Sequence, residues 1–411
     1  MILSGARVAL SATQAQRMDI EIRRGKIIEL RPSATAARDL AGYLILPGLI
    51  NAHEHLSFNL FPLLGSPPYR NAGEWARDVY RPDEPPVLEH RSVPRKVRLE
   101  WGALKNLLSG VTTVGHHDPD VIGANFPVKI AHAAWAHSLE FTPDIAKRHR
   151  KNRGDRPFVV HLGEGTDAAS AAEIFKAEAS GVIDERTVIV HGVALDAKGW
   201  RLLRRLKASV ITCPVSNLFT LGRTLGRSAF SRGVTIALGT DSGLTAPGDL
   251  LDALRAARSV WKLSPARLYR MVLSDAAKVL RLRNGEGEIR EGGVADLIMV
   301  RDVGLSPAET LLDLRRVEMV IAGGKVKMVS DRGAGMQLGR RVVFGPGRTE
   351  YNSAAGCKLA QPGTRFQRIS VEGRGRVWVD ADVARLYEEA TTRLGESTKL
   401  AGRWVRIKWK R

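Results

Sequence analysis

Residues 157–192 read PFVVHLGEGTDAASAAEIFKAEASGVIDERTVIVHG. Two short apolar bursts, PFVVHLG and RTVIVHG, flank a segment with helical spacing, DAASAAEIFKAEAS, and each burst runs into a histidine. Short β-branched runs of this kind read as buried strands, and strands alternating with helices read as βα units on a parallel sheet. The texture continues on both sides, with GVTTVG upstream and ASVITCP and VTIALGT downstream. Helical segments such as AKGWRLLRRL, PGDLLDALRAARSVW and SPARLYRMVLSDAAKVL accompany them. From residue 47 to residue 284 the alternation fills roughly 240 residues, which fits a (β/α)8 TIM-like barrel, for which about 250 is typical.

The two chain ends differ from this middle. ARVAL, MDIEI, KIIEL and GYLIL fill residues 1–46 with short strands, and Gly25 in RRGKI suits a tight hairpin turn. Strand texture returns from about residue 285 in GEIREGGVADLIMVRD, VEMVIAGGKVKMVSD and QRISVEGRGRVWVD. Neither end has enough strands to close a core alone, so residues 1–46 and 285–411 are expected to form one small β-sandwich domain beside an α/β barrel domain at 47–284. The tail adds a helix, ADVARLYEEATTRL, and a strand with one basic face, GRWVRIKWKR, whose lysines suit an edge position.

Composition narrows the class. The 411 residues are 44% hydrophobic and 26% charged, which is globular. No run of eighteen apolar residues suggests a membrane span, and the start, MILSGARVALSATQAQ, lacks the basic and continuous apolar regions of a signal peptide. Two cysteines, Cys213 and Cys357, provide neither a disulfide framework nor a thiolate metal cluster, so a reducing, cytoplasmic location is expected. The formal charge of +20 attracts anions, among them an anionic or heteroaromatic small substrate. Its lysines and arginines fall at the spacing of solvated helix faces (RLLRRLK, LDLRRVE), so nucleic acid is not the expected partner.

In a parallel barrel, chemistry gathers where strands end, at the C-terminal face. GLINAHEHL ends in His53 and His55, and PFVVHLGEG ends in His161 with Glu164 three residues on. RTVIVHG ends in His191 and VTIALGTDSG in Asp241. Residues i and i+2 of a strand face one side, so His53 and His55 both point into the barrel mouth while Glu54 points away. Imidazole nitrogens and a carboxylate oxygen suit zinc or ferrous iron. Such a site leaves room for a water whose pKa the metal lowers to about 7.

Taken in this order, the segments resemble the amidohydrolase superfamily over nearly the whole chain. Within it they are similar to the mononuclear-metal aminohydrolases, such as guanine, cytosine and S-adenosylhomocysteine deaminases and the triazine hydrolases. GYLILPGLINAHEHL resembles the family's first barrel strand, HLGEG the fifth, VIVHGVAL the sixth, CPVSNLF the segment after the seventh, and ALGTDSGL the eighth. The resemblance implies one divalent metal ion, zinc before iron, held by His53, His55, His161 and Asp241. It further implies Asp241 as acceptor of the water's proton and Glu164 as proton shuttle, with His191 an orienting residue or a further ligand. The lysine that bridges two metals in binuclear members has no counterpart, since Lys147 and Lys151 in AKRHRKNRGD look solvated.

Further expectations are finer. His117 and Asp118, next to His116 after the second strand, are candidate substrate contacts, as are Trp135 and His137, near His132 in AHAAWAHSLEF. Asn217, with Ser216 in CPVSN, is expected to line the pocket or cap the next helix. Cys213 reads as a small buried residue. About forty residues separate GVTTVG from His161, and KIAHAAWAHSLEF offers one plausible strand among them, so the barrel is expected to be trimmed near strands three and four. The long insertion SFNLFPLLGSPPYRNAGEWARDVYRPDEPPVLEHRSVP follows the histidine pair and reads as a lid. The expected activity is metal-dependent hydrolysis of a non-peptide C–N bond, foremost deamination of a purine, pyrimidine, pterin or triazine-like amine by a homodimer. Ring opening of a cyclic amide, as in imidazolonepropionase, and an inactive scaffold that binds nucleic acid or an anionic surface are the alternatives.

Overall fold

The computed structural model describes residues 1–33, 40–118, 126–152, 154–330, 366–371 and 375–380. The expected C-terminal helix, the basic terminal strand and Cys357 lie outside the described residues.

The chain opens with β1 (Ile2–Ala9), β2 (Ala15–Arg23), β3 (Lys26–Pro32) and β4 (Tyr43–Pro47). Arg24 and Gly25, with φ of 51° and 80°, turn β2 into β3, as a two-residue hairpin with both central residues left-handed requires. Eight strands follow that lie parallel in two arcs. The first arc is β5 (Leu49–Glu54), β6 (Val111–His116) and β7 (Lys129–Ile130). The second is β8 (Ala134–Ala136), β9 (Phe158–Leu162), β10 (Thr187–His191), β11 (Ser209–Thr212) and β12 (Ile236–Leu238). β9 and β10 are buried along their whole length, which is the mark of strands covered on both faces.

The second arc comes back to the first. Glu54 and Asp241 form a parallel bridge. The Thr240 and Asp241 N–H groups both donate to the His53 carbonyl at 3.1 Å, and His55 N–H donates to the Asp241 carbonyl at 2.7 Å. KIAHAAWAHSLEF, expected to supply one strand, supplies both β7 and β8. They are two and three residues long with three residues between them. A parallel neighbour needs a crossover of a dozen or more residues, so β7 pairs with β6 while β8 pairs with β9.

Helices cover the strands. α1 (Ala72–Val79), α2 (Val87–Ser92) and α3 (Arg95–Leu108) lie between β5 and β6, and α4 (Ile145–Lys151) precedes β9. α5 (Ala168–Ala179), α6 (Ala197–Leu206) and α7 (Pro214–Leu221) follow β9, β10 and β11, while α8 (Leu250–Trp261), α9 (Pro265–Met271) and α10 (Ser274–Val279) follow β12. Aspartates set the starts: Asp167 accepts from Ser170 N–H, Asp196 from Gly199 N–H, and Asp249 forms a capping box with Asp252. Among the described residues no helix is long and apolar enough to cross a membrane.

The chain ends meet in a single nine-stranded sheet. β13 (Leu297–Arg301), then α11 (Pro307–Asp313), β14 (Met319–Ala322), β15 (Lys325–Ser330), β16 (Phe366–Val371) and β17 (Gly375–Asp380) complete the chain. The sheet order is β16-β17-β15-β14-β13-β4-β1-β2-β3, so β13 pairs with β4 and stitches the ends together. Its two faces go to different cores, with the period of two that a strand imposes. Tyr43, Ile45, Leu297 and Met299 pack with Leu3, Ile20 and Ile27 in a core of their own. Leu44, Leu46, Ile298 and Val300 join the main core with Leu107, Val111 and Val160. One sheet face therefore rests on the parallel strands and their helices.

Candidate metal centre and active site

β5 carries the first two histidines, and its pleat sends their neighbour the other way. Glu54 is fully buried beneath α3, where Asn51 Nδ2 (2.8 Å) and Asn106 Nδ2 donate to its Oε2. Lys105 Nζ lies 2.6 Å from the other oxygen, Oε1, as an ion pair without hydrogen-bond alignment. The residue at the centre of HEH is thus a brace for α3, with no part in the cluster on the opposite face.

On that face, His53, His55 and His161 are buried and each offers one ligand atom, all within 4.8 Å of one another. His53 Nε2 stands 3.2 Å from His161 Nε2. Asp241 Oδ1 lies 3.9 Å from His53 Nε2 and 3.8 Å from His55 Nε2. The outer partners fix which atoms are left over. His161 Nδ1 donates to the His137 carbonyl at 2.8 Å, which leaves Nε2 with a lone pair. His55 Nδ1 faces Asp118 Oδ1 at 3.2 Å, and Asp118 Oδ2 accepts from Ser57 Oγ at 3.1 Å. Asp241 Oδ2 accepts from Ser216 Oγ (2.5 Å) and Thr245 Oγ1 (2.9 Å), so Oδ1 is the free oxygen.

Burial, reinforced by the neighbouring imidazoles, pulls His53 and His161 well below the usual histidine range, so both are neutral. Burial also pulls on His55, but the Asp118 carboxylate, helped by Asp241 and Glu164, outweighs it and raises that ring to about 9. A buried group of neutral nitrogens with lone pairs 3.2 Å apart, ringed by carboxylates, is stable when a cation sits among them. Three imidazole nitrogens and one carboxylate oxygen are a fitting donor set for a borderline divalent ion.

His191, the last residue of β10, and Asp241, three residues past β12, both have φ of 72°, a left-handed backbone that costs a non-glycine residue of order 1 kcal/mol or more. His191 Nδ1 donates to Asn217 Oδ1 at 2.7 Å, which turns Nε2 toward Glu164 Oε2 at 3.5 Å. Burial, with Asp241 and Glu173 adding to it, holds the Glu164 carboxyl well above the usual carboxylate range. The same burial favours the protonated form of Glu164.

A cavity of about 820 Å³ opens onto this cluster, and His55, His161, His191, Glu164 and Asp241 form its floor. The long insertion supplies much of the rest of the wall through Phe58, Phe61, Trp75 and Val87. Of the candidate substrate contacts, His137 lines the cavity and His117, Asp118, Trp135 and Asn217 do not. The His117 ring packs 4.5 Å from His161 and 5.0 Å from Trp135, with both nitrogens buried and unpartnered. Asn217 is buried and committed to His191, Thr212 and Thr224. His116 accepts from Leu56 N–H, and His132 meets Arg156 at the surface. Lys147 and Lys151 are exposed, and burial pushes the Cys213 thiol far up. Ser57, Thr245, Lys105 and Asn106 went unread in the sequence because isolated hydroxyls, amides and lysines on helices carry no spacing signal.

Residues 127–327 match the model of the Amidohydrolase family. A 5-methylthioadenosine/S-adenosylhomocysteine deaminase of Pyrococcus furiosus is 28% identical over 361 residues, covering 69% of this chain and 82% of that one. Among solved structures, an atrazine chlorohydrolase of Arthrobacter aurescens complexed with zinc and atraton superposes with a TM-score of 0.62 at 18% identity, over 79% of this chain and 94% of that one. An adenosine deaminase from Xanthomonas campestris with bound zinc gives 0.61 at 17% identity, over 95% and 98% of the two chains. At these identities the two structures speak for the fold, which is of the TIM-barrel type.

Proposed function

We propose, for a chain that carries an amidohydrolase-family domain, that it is a deaminase of a purine-like or triazine-like heterocyclic amine and hydrolyses a non-peptide C–N bond with one zinc ion. The observation that carries this is the convergence of His53, His55, His161 and Asp241 on one buried point, with Glu164 and His191 beside it at the floor of a cavity. The relative above is, by its name, a deaminase of 5-methylthioadenosine and S-adenosylhomocysteine, and zinc is bound in the neighbouring structures.

His53, His55, His161 and Asp241 would hold the ion, whose Lewis acidity lowers the pKa of a bound water to about 7. Ser216 and Thr245 fix one Asp241 oxygen and leave the other to take the proton from the attacking water. Glu164, held toward its protonated form, gives its proton to the ring nitrogen beside the attacked carbon, the proton held by Asp241 leaves with the amino group as ammonia, and the added hydroxyl returns its proton to Glu164 as the carbonyl forms. His191, fixed by Asn217, orients the attacked face. The insertion supplies much of the cavity wall above the site.

The two parallel arcs are taken as one (β/α)8 barrel at 47–284, shortened at its third and fourth strands, and residues 1–46 with 285–411 as a sandwich-type domain. A cytoplasmic, homodimeric enzyme belongs to the same proposal. Glu164→Gln tests the chemistry: metal content is retained and turnover falls by about 10²–10⁴-fold. Full activity in that variant removes Glu164 from the mechanism. Ammonia release from a panel of amino-heterocycles separates deamination from ring opening, which yields none.

A further inference from the structure

Two files of rings lead outward from the histidine cluster. On one side His55 is followed by Phe58, with centroids 5.7 Å apart, and Phe58 by Phe61 at 5.7 Å. On the other, His161 is followed by His137 at 4.8 Å and His137 by Phe141 at 5.2 Å. The N-terminal part of the insertion's helix α1 brings Trp75 to the same space, with Tyr80 just past its end. The Trp75 N–H is committed to the Leu64 carbonyl at 2.9 Å, so what it presents to the cavity is ring surface. Tyr80 is 67% exposed and Phe141 48%, and aromatic surface left open at the entrance of a cavity is what an apolar ligand covers.

Hydrogen-bond acceptors are few among the described residues along the same path. Among the described lining residues the carboxylates are Glu164 and Asp241, both at the floor, and none is an asparagine or glutamine. The Thr245 hydroxyl donates to Asp241, and Arg77 pairs with Glu140 at 3.0 Å. Arg91 and Arg98 each give a donor to a backbone carbonyl, of Pro82 and Val93, and a guanidinium cannot accept from a sugar hydroxyl, so the remaining side-chain oxygen acceptors of the described lining are the Ser242 and Tyr80 hydroxyls. A nucleoside carries vicinal hydroxyls on its sugar, and a buried hydroxyl without an acceptor is unfavourable. The floor fits an aminated ring, while the described lining of the outer cavity offers few acceptors to a sugar's hydroxyls and much ring surface for an apolar group to cover.

We propose that the substrate is a planar amino-heteroaromatic ring bearing an apolar alkyl or aryl arm in place of a sugar, with the arm held between the Phe58–Phe61 file and Phe141. This rests on the deaminase reading above and names its substrate class. Water adds to the ring carbon and ammonia leaves, as before, and the arm takes no part in the bond changes.

The test compares 9-benzyladenine with adenosine on the zinc-loaded enzyme, by ammonia release and, independently of turnover, by calorimetric binding. The expected kcat/KM is about 10²-fold higher for the benzyl compound, since packing and unmatched hydroxyls each contribute an order of magnitude or so. Phe141→Ser, at a half-exposed position where folding is little affected, lowers that ratio about tenfold. If adenosine is turned over as well as the benzyl compound or better, the apolar-arm inference is overturned and deamination stands. If neither releases ammonia yet the benzyl compound binds at least about tenfold more tightly, deamination of such purines fails and the cavity's selectivity stands. Equal or absent binding without turnover overturns both.

Discussion

Lys105→Met leaves a carboxylate stranded directly behind β5, the strand that carries the proposed metal ligands His53 and His55. Glu54 is 0% exposed and the Lys105 side chain 9%, with 2.6 Å between Nζ and Oε1. Removing one partner of a buried pair costs about 3–5 kcal/mol, because an uncompensated charge remains in the interior. Asn51 and Asn106 still donate to Oε2, so some of the charge stays solvated and the lower end, about 3 kcal/mol, is expected. Urea unfolding of the metal-free protein measures this as a fall in midpoint at constant slope. Glu54→Gln combined with Lys105→Met removes both charges and returns most of the stability, to within about 1 kcal/mol of the parent. Should Lys105→Met alone cost under about 1 kcal/mol, Glu54 is not a buried charge held by that lysine, and its role as the brace between β5 and α3 is refuted.

Two further outcomes follow from single side chains. Asp118→Asn keeps an acceptor near His55 Nδ1 but loses the charge, and is expected to weaken zinc binding about 10–100-fold in competition with a chelator; an unchanged affinity means that Asp118 does not support that ligand. Asp296 is raised by burial to about 6 despite accepting from Gly323 N–H at 2.6 Å, so its ionisation destabilises the fold as pH rises from about 4 through 6. Asp296→Asn should therefore gain stability over the parent by about 3 kcal/mol above pH 6.5 and by almost nothing near pH 4, and a gain independent of pH contradicts the assignment.

The strand ends were the legible part. His53, His55, His161, His191 and Asp241 each close an apolar burst, and a period of two placed Glu54 on the opposite face, which is where it lies. Strict strand–helix alternation likewise predicted parallel strands in chain order. Strands of two and three residues are too short to show periodicity, so β7 and β8 merged into one segment. The groups that hold the proposed ligands in place were hidden for a different reason. Ser57 and Thr245 come from separate elements and meet Asp118 and Asp241 only through folding, while Ser216 was read with Asn217 but not as the partner of Asp241. Asp118 and Asn217 were read at the right place with a different contact, because a residue at a barrel mouth can face the substrate or face a ligand, and spacing does not tell these apart.

Metal content of the purified protein, measured by elemental analysis after exhaustive dialysis, tests the central claim most directly. The geometry of His53, His55, His161 and Asp241 predicts about one zinc or iron per chain, falling to near zero in His161→Ala. A protein that folds, accepts no divalent ion under saturating zinc, and behaves like its His161→Ala variant would contradict it.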